Sequence, residues 1–308
     1  MSGHDWDHTT DVLVIGSGAG ALTAALRAHD NGAQTLVIEK TALYGGSSAM
    51  SGGVLWLPSS PMIARAGGSD SPEEAKRYMK SVIGEPSQNA RIDAFVDTIP
   101  RFIEYLHART RVYLESLVGF PDMYPDNPDF KMHRCHEPLP FNGGSLGDEL
   151  QFLRPQHPQT TLFGVIGWTA SESLVLQARG KGWLWVAFSM VARYVLDIPG
   201  RLRGMRDRRQ VLGGALVGSL RRSMIERGMP LWLGTAAQEL VTEDGRVTGV
   251  TALRDGKWVR IRARKGVIVA SGGFEKNNAM RRQHLPQPTD AAWTAGSPGN
   301  TGEMIEAS

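Results

Sequence analysis

The first apolar run of the chain, DVLVIG, ends in a glycine cluster and is followed by ALTAALRAHDNG, whose Ala and Leu content recurs at helical spacing up to an Asn-Gly stop. A second apolar run, TLVIEK, comes directly after it. Strand, helix and strand with such short connections predict a βαβ unit, hence a parallel sheet with a right-handed crossover. Residues 41–61 lose the periodicity and are rich in Gly and Ser. The stretch SDSPEEAKRYMKSVIG then restores it, with a Ser or Asp cap, Pro72 near the first turn and an amphipathic pattern, and a helical region runs on through residues 91–107.

Residues 118–147 are crowded with Pro, Gly and Asp and read as an irregular surface segment near a site. Residues 150–209 form a long insertion rich in Trp and Arg, and residues 211–227 read as a helix returning to the first domain. The pattern after that alternates as strands do. PLWLGT, AQELVTE, RVTGVTALR and KWVRIRA are separated at Asp244-Gly245 and Asp255-Gly256 by hairpin turns. A further strand, GVIVA, leads into Ser271-Gly272-Gly273.

With 308 residues, 41% of them hydrophobic, the chain can bury a full core, and its length suggests about two domains. The polar start MSGHDWDHTT lacks the layout of a secretory signal, and the single cysteine, Cys135, excludes an internal disulfide, so a reducing, cytoplasmic setting is expected. The longest apolar stretch, residues 183–192, is interrupted by Ser189 and closed by Arg193, too short to span a bilayer. Net charge is only +3, but Arg201, Arg203, Arg206, Arg208 and Arg209 face Asp207 alone. That basicity is local.

The cluster Gly16-Ser17-Gly18-Ala19-Gly20-Ala21 gains meaning from its place between a strand and a helix. The first Gly makes the turn, Gly18 lets the backbone approach a pyrophosphate, and Ala21 permits close helix packing, while the helix N-terminus offers unpaired N–H groups to the anion. Glu39, at the end of the second strand and about 20 residues on, can accept hydrogen bonds from ribose hydroxyls. These features suit NAD and FAD alike. The second glycine-rich loop, Tyr44-Gly45-Gly46-Ser47-Ser48-Ala49-Met50-Ser51-Gly52-Gly53, favours a cofactor with a second polyol to clasp, with Ser47, Ser48 and Ser51 donating to phosphate or ribityl oxygens.

DVLVIGSGAGALTAAL, VIEKTALYGGSSAMSGGVLWLP, EDGRVTGV, GVIVASGGF and PGNTGE together resemble the flavoproteins grouped with fumarate reductase and succinate dehydrogenase. Within them the second of these stretches is most similar to the 3-ketosteroid Δ1-dehydrogenases. The resemblance implies an α/β, Rossmann-like FAD-binding domain with a parallel sheet, a β-hairpin or meander and a helical insertion. Its boundaries fall at 1–149 for the first part of that domain, 150–210 for the insertion, 211–274 for the return strands and 275–308 for the start of a substrate domain that is mostly missing.

It further implies FAD at Gly16, Ser17, Gly18, Ala19 and Gly20 for the pyrophosphate, at Glu39 and Lys40 for the adenosine, and at Gly46, Ser47, Ser48, Ser51, Gly52 and Gly53 along the ribityl and flavin. Ala236 would meet the adenine, Ala270, Ser271 and Gly272 would line the dinucleotide, and Asn300, Thr301 and Gly302 would approach the flavin. Relatives with covalent flavin carry a histidine near the position of Gly46; its absence implies non-covalent FAD.

The activity implied is dehydrogenation of a CH–CH bond beside a ketone in a steroid-like substrate, by hydride transfer to flavin N5, with an electron acceptor as second partner. Two departures stand out. Where relatives show Phe-Pro-Asp-Tyr-Tyr, this chain reads Phe120-Pro121-Asp122-Met123-Tyr124, and a thioether cannot relay a proton. After Asn300-Thr301-Gly302 the family expects a helix and a substrate-binding domain that carry the base tyrosine and the ketone-polarising glycine, so the chain reads as C-terminally truncated and its catalytic residues are unknown. The rivals are a non-catalytic FAD-binding fragment and an NAD-binding module of other chemistry.

His133, Cys135 and His136 lack a fourth ligand at fixed spacing, so no metal is expected. The aromatics Trp183, Trp185, Phe188 and Tyr194 beside arginines read first as a lid or helical hairpin over the flavin domain, with peripheral membrane contact as the other reading, and nucleic acid is not an expected partner.

Overall fold

The computed structural model describes residues 6–307. Residues 1–5, half of the polar start, and the terminal Ser308 lie outside the described residues. Contacts divide the chain into two compact units, the first drawn from the described parts of Met1–Ser51, Gly143–His157 and Leu216–Ser308, the second from Gly52–Asn142 and Pro158–Ala215.

The first unit is built on a six-stranded sheet. Strand β1 (His8–Ile15) leads through helix α1 (Ala19–Asp30) to β2 (Thr35–Ile38), as the apolar runs predict, and a short helix α2 (Gly46–Met50) follows. Strands β3 (Leu231–Trp232), β4 (Thr235–Glu243), β5 (Arg246–Arg254) and β6 (Lys257–Val269) complete the order β3-β2-β1-β6-β5-β4. Pairing is parallel from β3 to β6 and antiparallel from β6 to β4. All of β2 is buried, the expected state of a strand covered on both faces. Leu13, Ile15, Leu36, Ile38, Val250, Ala252 and Ile261 form a core that also takes in Met304.

Both hairpin turns use paired positive φ, 50° and 74° at Asp244-Gly245 and 49° and 76° at Asp255-Gly256, where Asp and Gly tolerate it best. The separate strands expected at KWVRIRA and GVIVA are one strand of 13 residues. Its first half pairs antiparallel with β5 while positions from Ile261 onward pair parallel with β1, and the basic Arg264 and Lys265 that interrupt the apolar pattern fall at a register shift opposite Asp11. Arg264 Nε lies 2.9 Å from Asp11 Oδ1, and Asp11, which also accepts the Gln34 N–H, is held below the usual carboxylate range, first by that backbone bond and then by Arg264.

The second unit contains the helix Pro72–Ile83, capped by Ser71 with Pro72 in its first turn as its sequence predicts, and the 21-residue helix Asn89–Arg109. The expectation that residues 118–147 form an irregular surface segment is corrected in one part. Cys135–Pro138 is the middle strand of a three-stranded antiparallel sheet with Leu55–Trp56 and Leu114–Ser116, and all of its residues are buried. Burial there is made possible by Arg134, fully buried, whose guanidinium forks onto Asp70 at 2.6 and 2.8 Å and meets Asp122 at 2.8 Å. It also stacks over Tyr78 and Trp56, 5.3 and 5.8 Å from their centroids.

His136 Nδ1 lies 2.9 Å from the Arg134 carbonyl, so that nitrogen carries the hydrogen, while Nε2 is buried without a partner. Burial lowers its pKa to about 4 and keeps the ring neutral. His133 Nδ1 accepts the Gly119 N–H, and among the described residues no group of three or more His, Cys, Asp or Glu is arranged to hold a metal.

In the insertion the helix Ala170–Gln177 opens with a capping box between Thr169 and Glu172, and the helix Trp183–Leu196 follows. The arginine run is largely engaged inside the unit. Arg209 reaches Glu172 at 3.0 Å, Arg208 pairs with Asp197, and Arg201 lies over the Tyr194 ring.

Candidate functional site

In the first unit the register sets Ile15 opposite both Ile38 and Val269, so the carboxyl ends of β1, β2 and β6 lie in one row. A crevice beyond such ends is where open α/β sheets take their ligands. Here it is a cleft lined by Gly16, Ser17, Gly18 and Gly20 after β1, Glu39 and Lys40 after β2, and Ala270, Ser271 and Gly272 after β6.

Gly16 makes the turn. Its N–H donates to the Ile38 carbonyl at 2.8 Å, its φ is +105°, and a Cβ there would stand 2.3 Å from the Ala270 oxygen. The glycine is thus required by its approach to the segment after β6. Gly20 and Gly46 have no atom within 4 Å of where a Cβ would be, and Gly18 has only the Ser48 hydroxyl, so bare backbone borders the cleft. Helix α1 begins here, and the N–H groups of its first turn have no acceptor within the helix. Bare backbone, a helix N-terminus and a carboxylate at the next strand end fit a dinucleotide such as FAD.

Glu39 is buried and occupied on both oxygens. One accepts the Thr41 N–H and hydroxyl, each at 2.9 Å, and the other the Ser17 hydroxyl at 2.5 Å. Ser17 in turn accepts the Gly45 N–H at 2.9 Å, which ties the two glycine loops together. Arg154, assigned from sequence to the insertion, lies in this unit and donates to the Thr41 hydroxyl at 2.9 Å.

Lys40 Nζ spans 2.6 Å to the Thr301 hydroxyl and 3.0 Å to Glu303. Burial opposes ionisation of Glu303, but hydrogen bonds from Thr301, its own backbone and Lys40 outweigh it and hold the carboxyl below the usual glutamate range.

The serines are placed less simply than the sequence suggests. Ser48 accepts the Ala19 N–H at 3.1 Å and lines the cleft, Ser51 donates to the Ser48 carbonyl, and Ser47 donates to Glu275. Gly46, Ser47, Asn300 and Gly302 also line the cleft; Ala19, Ser51, Ala236 and Thr301 do not. Gly52 and Gly53 belong to the second unit, where Gly53, at φ +63°, packs against the backbone of Leu212 and Gly213. Thr235, Ala237, Ser297, Gly299 and Met304 line the cleft without having been expected. Small or apolar residues in loops and strands carry no motif that would have singled them out.

In the second unit Met123 is 78% exposed and Tyr124 55%, on a loop anchored by Asp122, which accepts from Trp56 Nε1 at 2.8 Å.

A family model described as "FAD binding domain" matches residues 11–308, and the chain belongs to that family. Among individual proteins it is 34% identical to a 3-oxosteroid 1-dehydrogenase of Mycolicibacterium smegmatis, covering 100% of this chain and 53% of the relative. It is 36% identical to that of Comamonas testosteroni, over 91% of this chain and 49% of the relative. The crystal structure of 3-ketosteroid delta1-dehydrogenase from Sterolibacterium denitrificans, in complex with 1,4-androstadiene-3,17-dione, superposes with a TM-score of 0.93 at 41% identity, covering 97% of this chain and 54% of that one. The chain spans about half the length of the curated relatives it matches. The α/β fold with its parallel-containing sheet and the FAD cofactor agree with the reading from sequence.

Proposed function

We propose that this chain is the flavin-binding part of an FAD-dependent dehydrogenase acting on a CH–CH bond next to a ketone in a steroid-like substrate. The observation that carries the proposal is the glycine-bordered cleft at the ends of β1, β2 and β6, in a chain 41% identical to a steroid-complexed dehydrogenase along nearly its full length. Bound FAD supplies a two-electron acceptor for a hydride. The protein's share is to hold and orient it: Gly16, Gly18 and Gly20 with the α1 N-terminus at the pyrophosphate, Glu39 and Lys40 at the adenosine, Gly46 and Ser48 with Ala270, Ser271 and Gly272 along the rest. No histidine stands at Gly46, which supports non-covalent binding.

A purified sample tests this directly. We expect a yellow protein, or one that turns yellow with added FAD, whose absorbance bleaches anaerobically with a 3-ketosteroid. Colour without bleaching favours a non-catalytic flavin-binding part. A protein that stays colourless with FAD overturns the proposal.

We further infer a peripheral membrane contact through the insertion, and place the protein on the reducing, cytoplasmic side, in keeping with its free, buried Cys135. Leu184, Trp185, Phe188 and Leu196 are 65, 70, 62 and 74% exposed on or at the end of one helix, apolar surface that water disfavours. No helix among the described residues is long and apolar enough to cross a membrane. The chain should float with anionic lipid vesicles, and W185S/F188S should not; equal flotation of the two would rule the contact out.

A further inference from the structure

We propose that Glu275 is a positioning residue of the FAD site, setting the hydrogen-bond polarity of Ser47 and Asn300 toward the cofactor; the proposal rests on the FAD reading of the cleft. Glu275 itself does not line the cleft, but Ser47 and Asn300 do. Its Oε1 accepts from Asn300 Nδ2 at 2.7 Å and from the Ser47 hydroxyl at 3.3 Å. Asn300 Nδ2 also donates to Ser47 Oγ at 3.1 Å, which takes the Ser297 N–H at 2.9 Å as well. Three side chains thus close a ring that joins segments 228 and 253 residues apart in sequence.

The backbone is shaped around this carboxylate. A Cβ at Gly273 would stand 2.7 Å from Glu275 Oε2, one at Gly296 would stand 2.3 Å from Oε1, and one at Gly272 would stand 2.9 Å from Asn300 Oδ1. All three lie under 3.0 Å, so a side chain at any of them would push the Glu275 carboxylate or the Asn300 amide out of this arrangement. Glycine at each makes room for the ring.

The chemistry follows from what each group can still do. A carboxylate only accepts, so it draws the Ser47 proton and the Asn300 NH₂ toward itself. With both amide hydrogens engaged, Asn300 has only Oδ1 left, and among the described residues that atom takes no hydrogen bond. This stretch of the cleft therefore presents acceptors, and the part of FAD it suits is a donor, a hydroxyl or a ring N–H. The expectation that Ser47 donates to the cofactor is replaced by one in which it braces Asn300.

The test is FAD affinity of the apoprotein, by flavin fluorescence quenching, with visible circular dichroism of the bound flavin as a second readout. E275A should weaken binding at least about 10-fold and alter the flavin dichroism, while E275Q, whose amide oxygen can accept the same two bonds, should stay within about 3-fold of wild type. E275A/N300A should be no weaker than the weaker single variant, because both remove one coupled unit. Wild-type affinity in E275A, failure of E275Q to rescue, or losses that multiply in the double variant would overturn the proposal. If E275A does not fold, N300D decides in its place: it sets a second acceptor against Glu275 and should bind at least 10-fold more weakly, and wild-type affinity there would overturn the proposal. Absence of FAD uptake by the wild-type chain would instead count against the cofactor reading.

Discussion

Replacing Gly16 with alanine should abolish retention of FAD. The added methyl would stand 2.3 Å from the Ala270 carbonyl oxygen and 2.8 Å from its carbon, both backbone atoms without a rotamer into which to move. Its φ of +105° lies in the region that a side chain disfavours. Either the turn opens away from Ala270, or β6 shifts at the end that lines the cleft. Both displace the surfaces proposed to meet the pyrophosphate, and a shift of that kind is worth about 3 kcal/mol or more, roughly 100-fold in Kd. Gly266→Ala is the matched control, because it lies in β6 outside the cleft lining and no atom lies within 4 Å of where its Cβ would be. Titration of both apoproteins with FAD measures the difference. Equal affinity of G16A and wild type would show that the turn is not set by this contact.

The second large effect is expected in the other unit. Arg134→Met should lower stability by about 3 to 5 kcal/mol, because it leaves Asp70 and Asp122 buried without their cation. Side chains of all three residues are at most 1% exposed, so water cannot take over the pairing. Arg134 also lies over Trp56, so tryptophan fluorescence should follow its loss. Urea unfolding of R134M should show the lower midpoint, with Arg134→Lys between the two, since an ammonium restores charge but not the fork. Asp122 anchors the loop that carries Met123 and Tyr124, so the same variant should be cut faster by protease within residues 118–133. A midpoint shift worth less than about 1 kcal/mol would mean that the triad is not what holds this region.

Much of the first unit was legible because its signals are local. DVLVIG, ALTAALRAHDNG and TLVIEK each carry their own periodicity, and Asp244-Gly245 and Asp255-Gly256 specify their turns through φ preferences alone. Gly16 and Glu39 stood out because strand, turn and helix follow one another within a few dozen residues. The buried strand Cys135–Pro138 was not legible, since Pro, His and Glu there oppose strand propensity, and what satisfies its buried polar groups lies far away in sequence: Asp70 on Arg134 and Ala170 and Ser171 on Glu137.

By itself, then, the sequence determined the βαβ cradle, its glycines and the acidic residue at the second strand end, because those depend on backbone freedom and on neighbours in the chain. Only the tertiary structure decided which hydroxyls remain for a ligand. Ser17 is spent on Glu39, Ser47 on Glu275 and Ser51 on a backbone carbonyl, whereas Ser48 faces the cleft. Hydrogen-bond donors are few and each hydroxyl has one proton, so its partner is set by whatever the fold brings within hydrogen-bonding distance, and that information is absent from any local stretch of residues.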